Sequence, residues 1–465
     1  MESPAALKRL SRRRGGFPGS GEPIMMIRYR RLSLAFTLAS AAVSGQALAG
    51  AFQLQEQSVS GQGTSWAGRT SNVQDATIVF GNPAGMSFLD RAQLTAGTHY
   101  IDASSDIHDE SGNQPMVTGV DGNGTPIIGS VATGGGSDGD MIPQKAIPFG
   151  YYVQPINDRW SFGLGVYAPF GLITDYNDDF KGRYFGNYSD LEVITAQPTL
   201  SYRFNDKFAI GFGVTYNHIK GELESKSPNP LNPTAAGDGT VNVKGDDDAW
   251  GYNIGMIYRP VESTTLGLTY RSKVEYHLTG DVDASNVFDG VGAGGPAFLN
   301  DDGDASLDIT LPETIDFSVT HQLDDRWTLM AGATYIRWSR FDQLVVDNDL
   351  GLDINEQQDY RDTWQYAAGL AYQLNPAWTL RGGIAYDQSP VKDAHRSPRV
   401  PTADRTLVSI GAGWMPIPDL TIDAAYSYIW EDRADVDLQD ENGNSYQAEY
   451  DNSLNLFGVQ ATYRF

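Results

Sequence analysis

Beyond residue 90 the chain is a series of strand-like segments whose connections alternate, long then short, all the way to the C-terminus. The segments lie near 91–103, 145–154, 159–168, 191–204, 207–219, 248–259, 264–278, 305–322, 326–338, 362–374, 377–387, 404–415, 419–430 and 452–465, fourteen in all. Long junctions cover about 104–144, 169–190, 220–247, 279–304, 339–361, 388–403 and 431–451. Short ones are turns such as Pro155-Ile156-Asn157-Asp158, Asn205-Asp206, Asp324-Asp325 and Asn375-Pro376. A soluble β-sandwich has no reason to keep that asymmetry. A membrane barrel does, because its turns are short at one membrane face and its loops long at the other. An even strand count returns both ends of the wall to the short-turn side. Most segments have the roughly 10 residues that a tilted strand needs to cross a bilayer.

Within the segments, apolar residues recur with period two. Phe208, Ile210, Phe212, Val214 and Tyr216 share a face opposite Ala209, Gly211, Gly213, Thr215 and Asn217. Leu420, Ile422, Ala424, Tyr426, Tyr428 and Trp430 oppose Thr421, Asp423, Ala425 and Ser427. One greasy face per strand is the pattern of a half-buried strand. Aromatics closing both ends of that face, such as Trp378 and Tyr386, fit interfacial girdles. A polar turn followed by an aromatic recurs in Asn157-Asp158-Arg159-Trp160, Asn205-Asp206-Lys207-Phe208, Asp324-Asp325-Arg326-Trp327 and Asn375-Pro376-Ala377-Trp378, which we read as repeated hairpin chemistry. The last strand alternates to a terminal aromatic, Phe465, and resembles the signal read by outer-membrane insertion machinery.

Alternation also explains a composition that otherwise argues against a membrane. Mean hydropathy is −0.35, and after residue 49 no stretch is apolar for the roughly 20 residues a spanning helix needs. A chain with 58 Asp and Glu against 33 Lys and Arg, net charge −25, lacks the basic footprint of a nucleic-acid binder. No cysteine is present, which excludes a disulfide scaffold and thiolate metal sites. The six histidines have no metal-ligand spacing, no G-x-S-x-G elbow occurs, and no cofactor motif is found, so the chain reads as a non-enzyme.

Before the barrel come two different stretches. Residues 25–49 combine Arg28, Arg30 and Arg31 with an apolar run from Leu32 to Val43 and the small-residue site Ala47-Leu48-Ala49, the layout of a secretory signal peptide. Cleavage is expected after Ala49, with residues 1–24 either an extension or an upstream misassigned start. Residues 50–89 then carry Phe52, Leu54, Trp66, Ile78, Val79, Phe80, Met86 and Phe88 in a Gly- and Ser-punctuated sequence without period, broken by the turn Asn82-Pro83-Ala84-Gly85. Such a segment cannot bury its own apolar surface. The reading is a plug inside the tube: residues 1–49 leader, 50–89 hatch, 90–465 barrel, an all-β fold of fourteen antiparallel transmembrane strands.

With that layout in place, the chain resembles the FadL-type outer-membrane transporters of long-chain fatty acids and other hydrophobic compounds. The resemblance rests on Gly50-Ala51-Phe52-Gln53-Leu54 with Ser60-Gly61 and Asn82-Pro83-Ala84; on Leu311-Pro312-Glu313-Thr314 with Trp327 and Trp338-Ser339-Arg340-Phe341; on Arg361-Asp362-Thr363-Trp364; and on residues 383–391 with Pro401 and Asp404-Arg405. It implies a monomeric barrel in the bacterial outer membrane, passing hydrophobic molecules down their gradient, long-chain fatty acids first. Aromatic hydrocarbons and a general aqueous porin are the alternatives.

The resemblance further implies that the hatch gates the lumen, with Phe52, Gln53, Leu54, Asn82, Pro83 and Ala84 as its working residues. It implies an apolar pocket against the hatch and an inward kink of the third strand that opens the wall. In that strand Gly165, Ala168, Pro169 and Gly171 mark a weak ladder, since Pro lacks the N–H donor and Gly favours bulges. Pro169 either kinks the strand or ends it at its loop. For the cation facing a bound carboxylate, Lys220, Arg340 and Arg381 are the candidates. Asp246-Asp247-Asp248 and Asp301-Asp302-Gly303-Asp304 fall in outer loops, as solvated charge or as sites for divalent cations that bridge lipopolysaccharide. Val287, Phe288, Val291, Phe298 and Leu299 fit either an apolar capture surface or loop packing.

Overall fold

The computed structural model describes residues 51–122, 125–292 and 295–465. The expected leader, residues 1–49, lies outside them. Fourteen strands form the wall: β1 Gln93–Val120, β2 Lys145–Pro155, β3 Trp160–Asp175, β4 Tyr188–Asn205, β5 Phe208–Ser227, β6 Gly239–Val261, β7 Thr264–Arg271, β8 Thr314–Gln322, β9 Trp327–Ile336, β10 Thr363–Asn375, β11 Trp378–Asp387, β12 Arg405–Ile417, β13 Leu420–Glu431 and β14 Ser445–Arg464. Each pairs antiparallel with its successor. β14 closes on β1, from Gln93 opposite Arg464 to Asn113 opposite Ser445. Closure satisfies most of the wall's backbone across the bilayer, which is what permits a sheet there at all. Among the described residues no helix is long and apolar enough to cross a membrane.

The alternation holds as read. Ile210, Phe212, Tyr216, Tyr428 and Trp430 are exposed to the outside, while Ala209, Thr215, Asn217, Ala425 and Ser427 are buried toward the lumen.

Two segments read as single strands are broken. The segment at 264–278 interrupts after Arg271, and the one at 305–322 interrupts at Pro312-Glu313. Beyond these breaks the chain leaves the wall as a hairpin, Val274–Gly292 with Gly295–Leu311. That hairpin pairs with β6 on one side and with Gln343–Asn348 on the other. The long loops therefore hold extra strands, because alternating residues such as Val241, Val243, Val282 and Val346 give them an apolar inner face. Most residues of the hatch are buried in the lumen, and it contains two single-turn helices, α1 Val59–Gln62 and α2 Ile78–Gly81, with a 3-10 turn over Pro83–Phe88.

Candidate functional site

The hatch is held by the wall as well as by its own hydrogen bonds. Its polar groups reach strands around the circumference: Val59 N donates to Gln460 Oε1 (2.9 Å), Gln62 Nε2 to the Leu456 carbonyl (3.0 Å) and Ser65 Oγ to Ser409 (2.8 Å). Thr70 N donates to Ser318 Oγ (3.0 Å), and Gln197 Nε2 to the Val79 carbonyl (2.9 Å). Ala51, Ser65 and Trp66 adopt left-handed backbone (φ +64°, +49° and +59°), a conformation that costs a non-glycine residue about 1 kcal/mol or more and needs outside support.

Asn82, expected among the working residues of the hatch, is tied to hatch and wall alike. Its Nδ2 donates to the carbonyls of Thr70 (2.8 Å) and Met256 (2.9 Å), and its Oδ1 accepts from Ala84 N (3.0 Å). Wall glycines make this possible. A Cβ on Gly255 would overlap the Asn82 side chain, and one on Gly211 would overlap the Pro83–Ala84 peptide.

Phe52, Gln53 and Leu54 meet the wall at β3. Up to Val166 that strand pairs with β2; beyond it, β2 loses β3 as a partner. The ladder with β4 slips between Tyr167 and Phe170, then continues to Asp175. The chain thus bends at Ala168-Pro169 and runs on; it does not end there. The freed edge is taken by the hatch: Leu54 N donates to the Pro169 carbonyl (2.9 Å) and Gly171 N to the Phe52 carbonyl (2.9 Å). Gln57 Nε2 donates to the Ala168 carbonyl. Of the four residues expected to mark this bend, Gly165 sits in regular ladder opposite Tyr151 and Gln197, Ala168 and Pro169 fall inside the slip, and Gly171, back in ladder opposite Glu192, receives the hatch.

Above this junction the lumen is apolar. Phe52, 1% exposed, sets its ring edge-on to Trp338 (4.9 Å) and Phe341 (5.3 Å) and tilted against Phe170 (6.2 Å). It also forms part of a cleft with Leu172, Leu191, Leu223, Val243, Leu278, Leu307, Ile309, Leu344 and Val400, about 760 Å³ of empty space with its mouth included. The cleft shares Leu223, Val243, Gln358 and Arg399 with a wider outer vestibule that Val287, Leu352, Ile354 and Leu438 help to line. At the outer hairpin, Phe288 and Phe298 pair at 5.8 Å, with Val291 and Phe298 exposed.

None of the three cations expected at a head group lines this cleft. Lys220 lies on the outward side of β5, in register between Glu192 and Asp246, sharing parity with the exposed Tyr216. Arg340 forks onto Glu313 (3.1 and 3.0 Å). Arg381 is buried beneath the hatch on Asp423 (2.7 Å), beside a vestibule of the short-turn side lined also by Arg326 and Arg464. The cations at the cleft are Arg399 and Lys244, both in loop segments that the sequence reading passed over. Arg399 is already engaged by Glu356 (2.9 Å), Ser189 Oγ, Ser225 Oγ and the Tyr188 carbonyl. As for the acidic loops, among the described residues no three His, Cys, Asp or Glu are grouped as a metal would need. Asp248 sits on His218 (2.9 Å) and Asp247 accepts from the His277 backbone (2.7 Å).

Residues 40–465 match the profile of a family described as outer membrane protein transport protein (OMPP1/FadL/TodX). The long-chain fatty acid transport protein of Escherichia coli O6:H1 is 30% identical over 455 residues, covering 93% of this chain and 98% of that relative. Outer membrane protein P1 of Haemophilus influenzae is 30% identical over 413 residues, 83% of this chain and 87% of its own. The crystal structure of a Pseudomonas aeruginosa FadL homologue superposes with a TM-score of 0.78 at 28% identity, over 89% of this chain and 100% of that one. The Pseudomonas putida toluene transporter TodX shares the fold, with a TM-score of 0.65 at 20% identity over 89% and 100% of the two chains.

Proposed function

The chain belongs to the outer membrane transport protein family OMPP1/FadL/TodX, and from that premise we propose that it takes up long-chain fatty acids by a route running from outer loops to cleft to wall. As a member it is an integral outer-membrane barrel that transports hydrophobic compounds. The finer reading is ours. An acyl chain is collected by apolar residues of the vestibule and slides into the cleft over Phe52. Withdrawal of residues 52–54 from β3 then leaves an open edge between β2 and β3, through which the chain moves sideways into the bilayer.

One observation carries this: Phe52 is at once part of the cleft lining and the residue whose backbone covers the freed edge of β3. A ligand competing for the place of its ring therefore acts directly on the closure. Each methylene buried in the cleft contributes about 0.8 kcal/mol, so a long chain supplies enough to displace a hatch segment. Release follows because the bilayer offers the same burial. The transport runs passively and involves no catalysis. The same reading has residues 1–49 removed on export, residues 50–89 acting as the hatch, and the monomer inserted through its C-terminal strand.

A second reading, uptake of neutral aromatic hydrocarbons, is favoured by the engagement of Arg399 with Glu356, which leaves the cleft with little free positive charge. The test is mass spectrometry of apolar ligands that copurify with the protein, alongside conductance in planar bilayers. Fatty acids with low conductance support the proposal, and bound hydrocarbons favour the second reading. A large, steady ohmic conductance would mean an aqueous pore and would overturn both.

A further inference from the structure

Three largely buried arginines are each paired with a carboxylate: Arg69 of the hatch on Asp316 of the wall (3.2 Å), and, within the wall, Arg381 on Asp423 (2.7 Å) and Arg405 on Asp387 (2.6 Å). Arg271 is different. It ends β7 on the inward parity shared with Thr269, whose hydroxyl donates to the Gly81 carbonyl of the hatch (2.9 Å). Its guanidinium lies 4.4 Å from the Phe80 ring centroid and 5.7 Å from that of Tyr167. Nη2 donates to the Phe80 carbonyl (3.1 Å), and Nη1 donates to Tyr167 Oη (2.8 Å) and to Gln197 Oε1 (3.3 Å). All these acceptors are neutral, and among the described residues no carboxylate lies within ion-pair distance of it. Ring faces and neutral oxygens compensate a partly buried cation only in part.

We propose that Arg271, with Tyr167 and Gln197, is an inner anion site that receives the carboxylate of a long-chain acid at the wall opening and loosens the hatch as it does so. The placement supports this. Tyr167 is the last residue before the Ala168-Pro169 bend, so the cation stands at the lower edge of the β2–β3 gap. Leu172 and Leu191 of the cleft lie on the same strands as Tyr167 and Gln197, five and six residues above them. At about 3.3 Å per residue that is roughly 16–20 Å, the reach of an extended long acyl chain. A carboxylate fits the guanidinium fork with two charge-assisted bonds. In taking them it displaces the bond to Phe80, which ties hatch to wall, and the bond to Tyr167, which ties β7 to β3. The cleft then holds the tail and Arg271 the head, giving acids an advantage over neutral chains that the cleft alone does not supply.

This inference rests on the transport reading above. Its test uses the full-length protein in liposomes, with uptake of palmitate and of hexadecanol measured side by side and folding checked by heat-modifiable gel mobility. Arg271→Met is expected to lower palmitate uptake at least tenfold relative to hexadecanol, whose own uptake holds or rises as the hatch loosens. Arg271→Lys, which keeps the charge but not the fork, should retain an intermediate palmitate rate and stands in if the Met variant does not fold. Equal loss of both substrates would make Arg271 a hatch strut only, and an unchanged palmitate-to-hexadecanol ratio would remove it from the path; either overturns the inference. Wild-type protein that passes hexadecanol but not palmitate overturns the inference while leaving hydrophobic transport intact, and wild-type protein that passes neither defeats the transport reading itself.

Discussion

Replacing Phe52 with alanine attacks the closure at the point where cleft and wall meet. The ring is 1% exposed and touches Phe170, Trp338 and Phe341. Truncating a fully buried Phe costs roughly 3–5 kcal/mol. Both backbone bonds to β3 survive the change, so the loss falls on side-chain packing alone. If the segment detaches locally, the whole of that cost appears as a shift between seated and withdrawn hatch. With about 1.4 kcal/mol for each factor of ten, the withdrawn population should rise by two to three and a half powers of ten. The assay is single-channel recording in planar bilayers, scored by opening frequency, with a protein lacking residues 51–89 as the fully open reference. Phe52→Leu, which refills most of the volume, should recover most of the closed time. The reasoning fails if Phe52→Ala, folded by gel mobility, opens no more often than wild type. It also fails if the hatch-deleted barrel inserts but does not leak.

Gly255→Val would place a side chain where Asn82 now sits, stranding a buried amide whose unmade bonds cost about 1–3 kcal/mol. Valine suits a strand, so the wall should fold, and proteolysis should cut within residues 51–89 while sparing β1 to β14; a protected hatch would refute the close fit. Glu56 is 2% exposed, with Oε2 lacking a partner. Burial pushes its carboxyl up from 4.5 to about 7, against the pull of Arg405 and Arg69. Its folded value exceeds its free value, so its support of the seated hatch is full below about 4.5 and is lost as pH rises through about 7. Opening frequency should climb between pH 5 and 8, and Glu56→Gln should flatten that climb; parallel profiles would show that another group titrates.

How much of this was readable depends on whether a feature is written in one strand or between several. Wall topology is written locally: period two, an aromatic at each end and a polar turn specify a hairpin, and the alternation of loop lengths orders the hairpins into a closed wall. The breaks at Ser272-Lys273 and Pro312-Glu313 were missed because the residues on either side keep the strand pattern. They serve the outer hairpin as well as the wall. For the same reason the loops looked irregular, although Val241, Val243, Val282 and Val346 carry an alternation that only pairing with neighbours turns into a face.

Parity would have corrected the cations. Tyr216, His218 and Lys220 share a side, and Tyr216 belongs to the greasy series, so Lys220 had to point outward. Gly267, Thr269 and Arg271 share the other side, the small and polar one, which put an arginine into the lumen at the end of a strand. What parity cannot supply is the partner. Whether an inward arginine meets an aspartate depends on registers across strands and on the hatch, and that separates Arg381 from Arg271. The hatch poses the same difficulty in reverse. Its fixed points, such as Asn82 and the Pro83–Ala84 peptide, rest where the wall offers glycine. A glycine in a strand reads as weakness in the ladder, and only the backbone lying against it shows that it is a socket. The seating of the hatch is therefore specified mainly by what β5, β6 and their neighbours leave out, so substitutions in the wall should unseat the hatch as readily as substitutions in the hatch itself.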